Sequence, residues 1–341
     1  MTADAPAPSA AATGAPAAGS SIPGLVWAFR FAADGSSEPL ELHEPQAHDR
    51  GGWTWLHFNL ADSRALQWLA AADLPAQART LLLSKDSYQQ IHSSGECIYG
   101  VIADLLRDIA DITEDTGYLR FVMTERMLIS GRHKALCSVE AARRALEGGA
   151  RIDSAAMLFE TIVDSVADAM ERIVDGIEHD LDHVEEKVLS EDADDVRGSL
   201  GRLRRTCVRL HRHLSGLRIV LHRFDRNTPV DLKPALRLRA GKLAQRLDGL
   251  DHSVIEMRER SRLLQEELHL KIEEQTNDSL RVLSVLTALL LPPTLVTGLF
   301  GMNTKGLPFT ETETGFLWAA GLMVLSSFAA FLLMKRIGLV R

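Results

Sequence analysis

Two uncharged runs near the C-terminus constrain this chain more than any other feature. Val282 to Phe300 reads VLSVLTALLLPPTLVTGLF and Phe316 to Met334 reads FLWAAGLMVLSSFAAFLLM, 19 residues each without a formal charge. As helices rising about 1.5 Å per residue, each is roughly 28 Å long, close to the thickness of a bilayer's hydrocarbon core. Both read as transmembrane helices rather than as a buried hairpin in a soluble domain. Arg281 precedes the first run, and Lys335, Arg336 and Arg341 follow the second. The connecting loop, Gly301 to Gly315, sets only Lys305 against Glu311 and Glu313. The positive-inside rule then places both termini in the cytoplasm and the loop outside a cell inner (plasma) membrane.

The rest of the chain reads as cytoplasmic. Residues 1–22 are rich in Ala, Pro, Gly and Ser, with neither a basic start nor an apolar run fit for a signal peptide, and read as a disordered tail. In a reducing compartment Cys97, Cys137 and Cys207 are free thiols, spaced for neither a zinc finger nor a redox pair. The net charge of −8 argues against nucleic acid as a partner. One segment runs the other way: GRLRRTCVRLHRHLSGLRIVLHRFDR, residues 201–226, is strongly basic and reads as an amphipathic helix with a solvated or phospholipid-facing surface.

From Gly24 to about Gly131, the runs GLVWAFRFA, GWTWLHFNL, ECIYGVIADLL and YLRFVMTERMLIS are rich in aromatic or branched residues and are separated by turn formers. ADSRALQWLAA and PAQARTLLL between them have helical spacing, so an α/β domain on one mixed sheet is expected. The acidic stretch between Asp104 and Asp115 reads as a solvated loop. From about Ser154 the pattern changes to long helices. Leu158, Ile162, Val166, Met170, Ile173, Ile177, Leu181, Val184 and Val188 recur at intervals of three and four and predict one unbroken helix. A second is expected from about Asp194 to Arg223, and a third from Ala235 with no breaker until Pro292. Carried to Phe300, the third would be roughly 100 Å long, which fits a stalk entering a membrane and no globular interior. A stalk buries its apolar stripe against partners, so self-association follows. The expected division is a tail (1–22), a cytoplasmic α/β and helical domain (23–234), a stalk (235–281), a first membrane helix (282–300), an external loop (301–315), a second membrane helix (316–334) and a basic tail (335–341).

Heptad spacing places Asn277, Ser284, Leu291 and Gly298 on one register of the third helix, and Leu280, Thr287, Thr294 and Gly301 on another. Together they form one seam of small and polar residues, which in lipid faces protein or water rather than acyl chains. Such a seam serves plain helix packing or lines a pore. Two features favour the pore: the seam runs from outside the apolar span to its far end, and two spans cannot enclose a channel without further copies. In a ring, Ser284, Thr287 and Thr294 give layers of oxygen dipoles, and Leu280 and Leu291 give apolar constrictions able to gate by dewetting. No His, Cys, Asp or Glu lies in either span, so a passing ion keeps much of its hydration shell. Pro292 and Pro293 each remove a backbone donor and are expected to bend the helix.

LPPTLVTGLFGMN, Leu291 to Asn303, resembles the signature of the CorA-type divalent cation transporters, whose loop carries Gly-Met-Asn after the first of two C-terminal spans. The resemblance covers nearly the whole chain. It implies a homopentameric, CorA-like funnel with a pore lined by the first membrane helix and Gly301, Met302 and Asn303 at the outer mouth. The family's pore-facing positions fall on Asn277, Leu280, Ser284, Thr287, Leu291, Thr294 and Gly298. After Gly-Met-Asn this chain continues TKGLPF, without the early acid of typical magnesium/cobalt members, and so looks more like the ZntB-type zinc transporters. That likeness implies Zn2+ as the transported ion, with Mg2+, Co2+, Ni2+ and Cd2+ as alternatives, and import driven by a proton gradient, with efflux the other direction. In five copies, Lys305 with Glu311 and Glu313 makes a mouth of net charge about −5, which attracts cations without selecting among them.

Other groups carry residue types suited to metal chemistry. On the helix from Ser154, His179 and His183 stand four residues apart, with Asp175 and Glu186 on the same face, a pattern able to hold a divalent regulatory ion. The same residues also make an ordinary charged surface, since the apolar stripe is offset from them. His211 and His213, flanked by arginines, read as structural. No phosphate-binding glycine loop appears, and His57 and Cys97 lie in no recognisable catalytic motif. Transport by a non-enzyme, without a bound cofactor, is the expectation; a membrane-anchored sensor or scaffold is the reading from another class.

Overall fold

The computed structural model describes residues 22–40, 52–107, 112–189, 196–229, 231–301 and 315–337. They fall into two units that meet between Arg262 and Leu263, inside one helix.

The first unit opens with seven strands: β1 (Leu25–Ala32), β2 (Ser37–Pro39), β3 (Gly52–Asn59), β4 (Gln90–Ser94), β5 (Cys97–Arg107), β6 (Ile112–Met123) and β7 (Met127–Arg132). They form one sheet in the order β2-β1-β3-β7-β6-β5-β4. The β3–β7 pair is parallel and the other pairs are antiparallel, so the expected mixed sheet is present. Helices α1 (Ser63–Ala71) and α2 (Ala76–Leu83) connect β3 to β4. Asp62 starts α1 by accepting from the Arg64 amide at 2.9 Å, which satisfies one of the helix's free N–H groups. The apolar sides of both helices, Ala65, Leu69, Ala78 and Leu82, pack on Leu56, Phe58, Tyr99 and Val122 of the sheet. The opposite sheet face is covered by α3 (Cys137–Glu147) and α4 (Ala155–Leu189), with Phe159 of α4 4.3 Å from Phe121 between ring centres.

Two expectations change here. The run from Tyr118 to Ser130 is the end of one strand and the start of another, because Thr124 accepts from the Met127 amide at 3.1 Å and closes a turn between β6 and β7. Asp104 is not in a solvated loop. It belongs to β5, is fully buried, and receives the amide and hydroxyl of Ser138 at the start of α3. The acidic composition of the stretch hid a buried capping residue. Residues 108–111 lie outside those described.

Three long helices follow. α4 buries the predicted stripe, with Ile173 part-covered. α5 (Val196–Arg226) buries Leu200, Leu203, Cys207, Leu210, Leu214, Leu217, Leu221 and Phe224 at the same three-and-four spacing. A single 3-10 turn, Pro234–Leu236, then precedes α6 (Ala240–Gly301). The third helix therefore starts five residues later than Ala235, since Arg237 already leaves the turn with extended backbone. α6 is 62 residues long and passes through Pro292 and Pro293 without a break. α7 (Gly315–Ile337) completes the second unit. α6 and α7 are both long and apolar enough to cross a membrane.

Candidate ion pathway

Within the second unit, α6 has two distinct sides. Val285, Ala288, Leu289, Pro292, Pro293, Val296 and Phe300 are the less exposed positions of its apolar part. Leu289 and Pro293 share an apolar groove with Met323, Val324, Ser327, Phe328 and Phe331 of α7. At about 100° per residue, Asn277, Leu280, Ser284, Thr287, Leu291, Thr294, Gly298 and Gly301 fall on the opposite side of the helix. All eight are exposed, with Leu280 at 55% and Leu291 at 62%. The seam thus points away from the chain's own second span.

Two hydroxyls of the seam are satisfied locally. Thr287 donates to the Leu283 carbonyl at 2.6 Å and Thr294 to the Leu290 carbonyl at 2.7 Å, each one turn back along the helix. Such bonds satisfy the hydroxyl proton and leave oxygen lone pairs on the helix surface. Pro293 has no N–H to give the carbonyl four residues earlier. That carbonyl, on Leu289, instead lies 3.5 Å from the Ser327 hydroxyl of α7, a long bond that partly replaces the missing donor. Gly301 is the last residue of α6; Met302, Asn303, Lys305, Glu311 and Glu313 lie outside the described residues.

The second proposed metal group is not assembled. Asp175, His179, His183 and Glu186 are all exposed along α4, and no set of three potential ligands is gathered among the described residues. Neither His57 nor Cys97, both buried, has an open catalytic setting. His57 stacks on Trp27 at 4.3 Å, accepts from Arg132 Nε at 3.0 Å, and lies 2.8 Å from the Ser130 hydroxyl. Burial, then the Arg132 charge, holds its imidazole well below the usual histidine range, so it is neutral. Cys97 is buried in the sheet, and burial pushes the Cys137 thiol up to about 11.

α6 is tied to its neighbours by ion pairs that no local sequence pattern announces. Arg239, Arg246 and Arg260 stand on α6 or just before it, at multiples of seven residues. Arg239 pairs with buried Glu160 of α4, Arg246 with Asp164, Asp168 and Glu171, and Arg260 with Asp182 and Glu185. On the other side, His211 and Arg218 of α5 meet Asp251 and Asp248, and His222 meets Asp248 at 3.0 Å. The seven-residue arginine spacing was visible in the sequence, but its acidic partners lie some 75 to 82 residues away.

The comparisons agree with this architecture. The chain resembles the full-length CmaX protein (TM-score 0.77, 24% identity, 94% of this chain and 99% of that one). It also resembles the complete CorA magnesium transporter from Methanocaldococcus jannaschii (TM-score 0.70, 17% identity, 92% and 99%). In sequence it is 24% identical to the zinc transport protein ZntB of Klebsiella pneumoniae over 86% of this chain and 90% of that protein. It is 23% identical to ZntB of Photorhabdus laumondii, over 85% and 88%. Residues 50–336 match the family described as CorA-like Mg2+ transporter protein, and the chain belongs to that family of divalent cation transporters.

Proposed function

We propose that this chain forms a homopentameric pore in the cell inner membrane and passes zinc inward, coupled to the proton gradient. The observation that carries the pore is the exposed seam of α6 on the side away from α7. In a ring each copy turns that side to the axis, so Asn277, Ser284, Thr287 and Thr294 become polar layers, and Leu280, Leu291 and Gly298 the narrower and apolar ones. Gly301, Met302 and Asn303 are assigned to the outer mouth, where an amide oxygen receives the hydrated ion. Lys305, Glu311 and Glu313 give that mouth its net negative field. Both termini are assigned to the cytoplasm because Arg281, Lys335 and Arg336 flank the spans on that side. The intended occupants are Zn2+ and protons, with membrane lipid around the ring.

Zinc rests on the named relatives, since the pore walls contain no group that prefers it. The family description names magnesium instead. Purified protein in liposomes decides between them, with Zn2+ or Mg2+ outside and with or without an inward proton gradient. Zinc uptake that grows with the gradient and is lost in Asn303→Ala is the expected result. Magnesium uptake without zinc uptake would overturn the ion assignment. Undiminished flux in Asn303→Ala would remove that residue from the mouth.

A further inference from the structure

α4 and α5 are oppositely charged over their whole lengths. Ala155–Leu189 contains ten acids against Arg172 and Lys187, and Val196–Arg226 contains nine arginines against Asp225. Most of the acids of α4 lie on one stripe, and the arginines of α6 meet that stripe at three levels. Continuing their seven-residue interval from Arg246 reaches position 253 before Arg260, and position 253 is a serine. Arg246 holds Asp164 to Glu171 and Arg260 holds Asp182 and Glu185. The level between belongs to Asp175 and Glu178. Both are exposed, and neither is a partner in the ion pairs that Arg246 and Arg260 make.

We propose that this missing rung is filled by Arg205 and Arg212 of α5 from a second copy of the chain. Both arginines are exposed on α5. Their height along the bundle is fixed by two contacts: His211 with Asp251 at 2.6 Å, and the Ser261 hydroxyl with the Leu200 carbonyl at 3.4 Å. Residues 200–211 of α5 therefore flank residues 251–261 of α6, the level at which Ser253 leaves Asp175 and Glu178 without a guanidinium. Donor and acceptor stand at the same height on different helices. A pure rotation, with no rise, brings one copy's α5 against the next copy's α4, which is the condition for a head-to-tail interface to close into a ring rather than a filament. Exposed pairs of this kind add little binding energy. Their effect is on orientation: they select which face meets which and suppress α4–α4 and α5–α5 contacts, where like charges repel. The inference rests on the ring proposed above but not on the ion it carries.

Mixed disulfide formation tests it. Glu178→Cys and Arg205→Cys are placed on differently tagged full-length chains, co-expressed, purified in detergent and oxidised. The native thiols give a low background, since Cys97 and Cys207 are buried and Cys137 is held protonated. The expected product is a dimer carrying both tags, absent when either variant is expressed alone. Mass photometry of the same samples reports the ring. An intact ring without the mixed disulfide overturns this interface and leaves the ring standing, whereas a monomer overturns both. Equal yield of same-tag dimers from Arg205→Cys alone also overturns it. So does protection of Arg205→Cys from maleimide in anionic but not zwitterionic nanodiscs, which would make lipid the occupant.

Discussion

Asp104 is a carboxyl group with no exposure, bonded by the Leu105 amide at 2.7 Å and by the Ser138 amide and hydroxyl. Those donors favour the carboxylate, but burial outweighs them and raises its pKa from 3.8 to about 6. A raised carboxyl means that the protonated form suits the fold better. Its contribution to stability is complete below about pH 4 and is lost as pH rises through about 6, a difference of about 3 kcal/mol. In Asp104→Asn this dependence should disappear: the stability of wild type relative to the variant should fall between pH 4 and 6.5 in denaturant titrations. A constant difference would show that Asp104 does not titrate there. His57 acts in the opposite direction. Its depressed pKa means that stability is complete above about 6.5 and is lost as pH falls below. Arg132 donates to its Nε2, so Nδ1 carries the proton and donates to the Ser130 hydroxyl, which also accepts from Trp55 Nε1 at 2.8 Å. Ser130→Ala leaves two buried N–H groups without an acceptor. A loss of about 2 kcal/mol or more is expected in unfolding experiments, while a loss below about 0.5 kcal/mol would mean the network relaxes onto other partners. Neither role was legible beforehand. Asp104 was masked by acidic neighbours, and His57 meets Ser130 and Arg132 only through the parallel register of β3 and β7.

At the scale of elements, the proline pair of α6 makes a quantitative claim. Pro293 frees the Leu289 carbonyl, and Ser327 on α7 comes within 3.5 Å of it. Ser327→Ala should cost about 0.5–1 kcal/mol of stability in detergent, in line with interhelical hydrogen bonds in membranes. The same change made on Pro293→Ala should cost nearly nothing, because the restored N–H then serves that carbonyl. Equal costs in the two backgrounds would show that Ser327 does not act through Leu289. The long helices were legible in the sequence because a stripe at three-and-four spacing is repeated over many turns, and the same stripes are buried in α4 and α5. Short strands carry too few residues for a period to emerge. β2 has three residues and β4 reads QIHSS, and neither was anticipated. The turn at Thr124 was hidden in a run of strand formers. The arginines on α6 were visible as a spacing but meaningless until the fold set α4 beside them.

At the scale of the whole molecule, membership of the CorA-like family makes transport the frame for every local feature, and the CorA and CmaX structures share its fold. The seam was legible because membrane helices restrict their vocabulary, so that Ser, Thr and Gly at heptad intervals stand out against Leu and Val. Ion choice was not legible, because the polar residues on the seam, Ser, Thr and Asn, include no side chain that prefers one divalent cation. What the seam does predict is a position-dependent gate. Leu291 lies on it with 62% exposure, whereas Leu286, exposed at 55%, lies about a third of a turn or more away. If a ring turns the seam inward, Leu291 faces water at the axis and Leu286 faces lipid or a neighbouring helix. A serine at position 291 should wet the apolar layer and raise resting metal uptake into liposomes several-fold, since a dewetted constriction loses its barrier when it gains a hydrogen-bonding group. Leu286→Ser makes the same chemical change off the axis and should leave uptake within about twofold of wild type. Equal leak from both variants would mean that the substitutions disturb the bilayer span rather than a gate. Leak from Leu286→Ser alone would place the pore on a different side of α6.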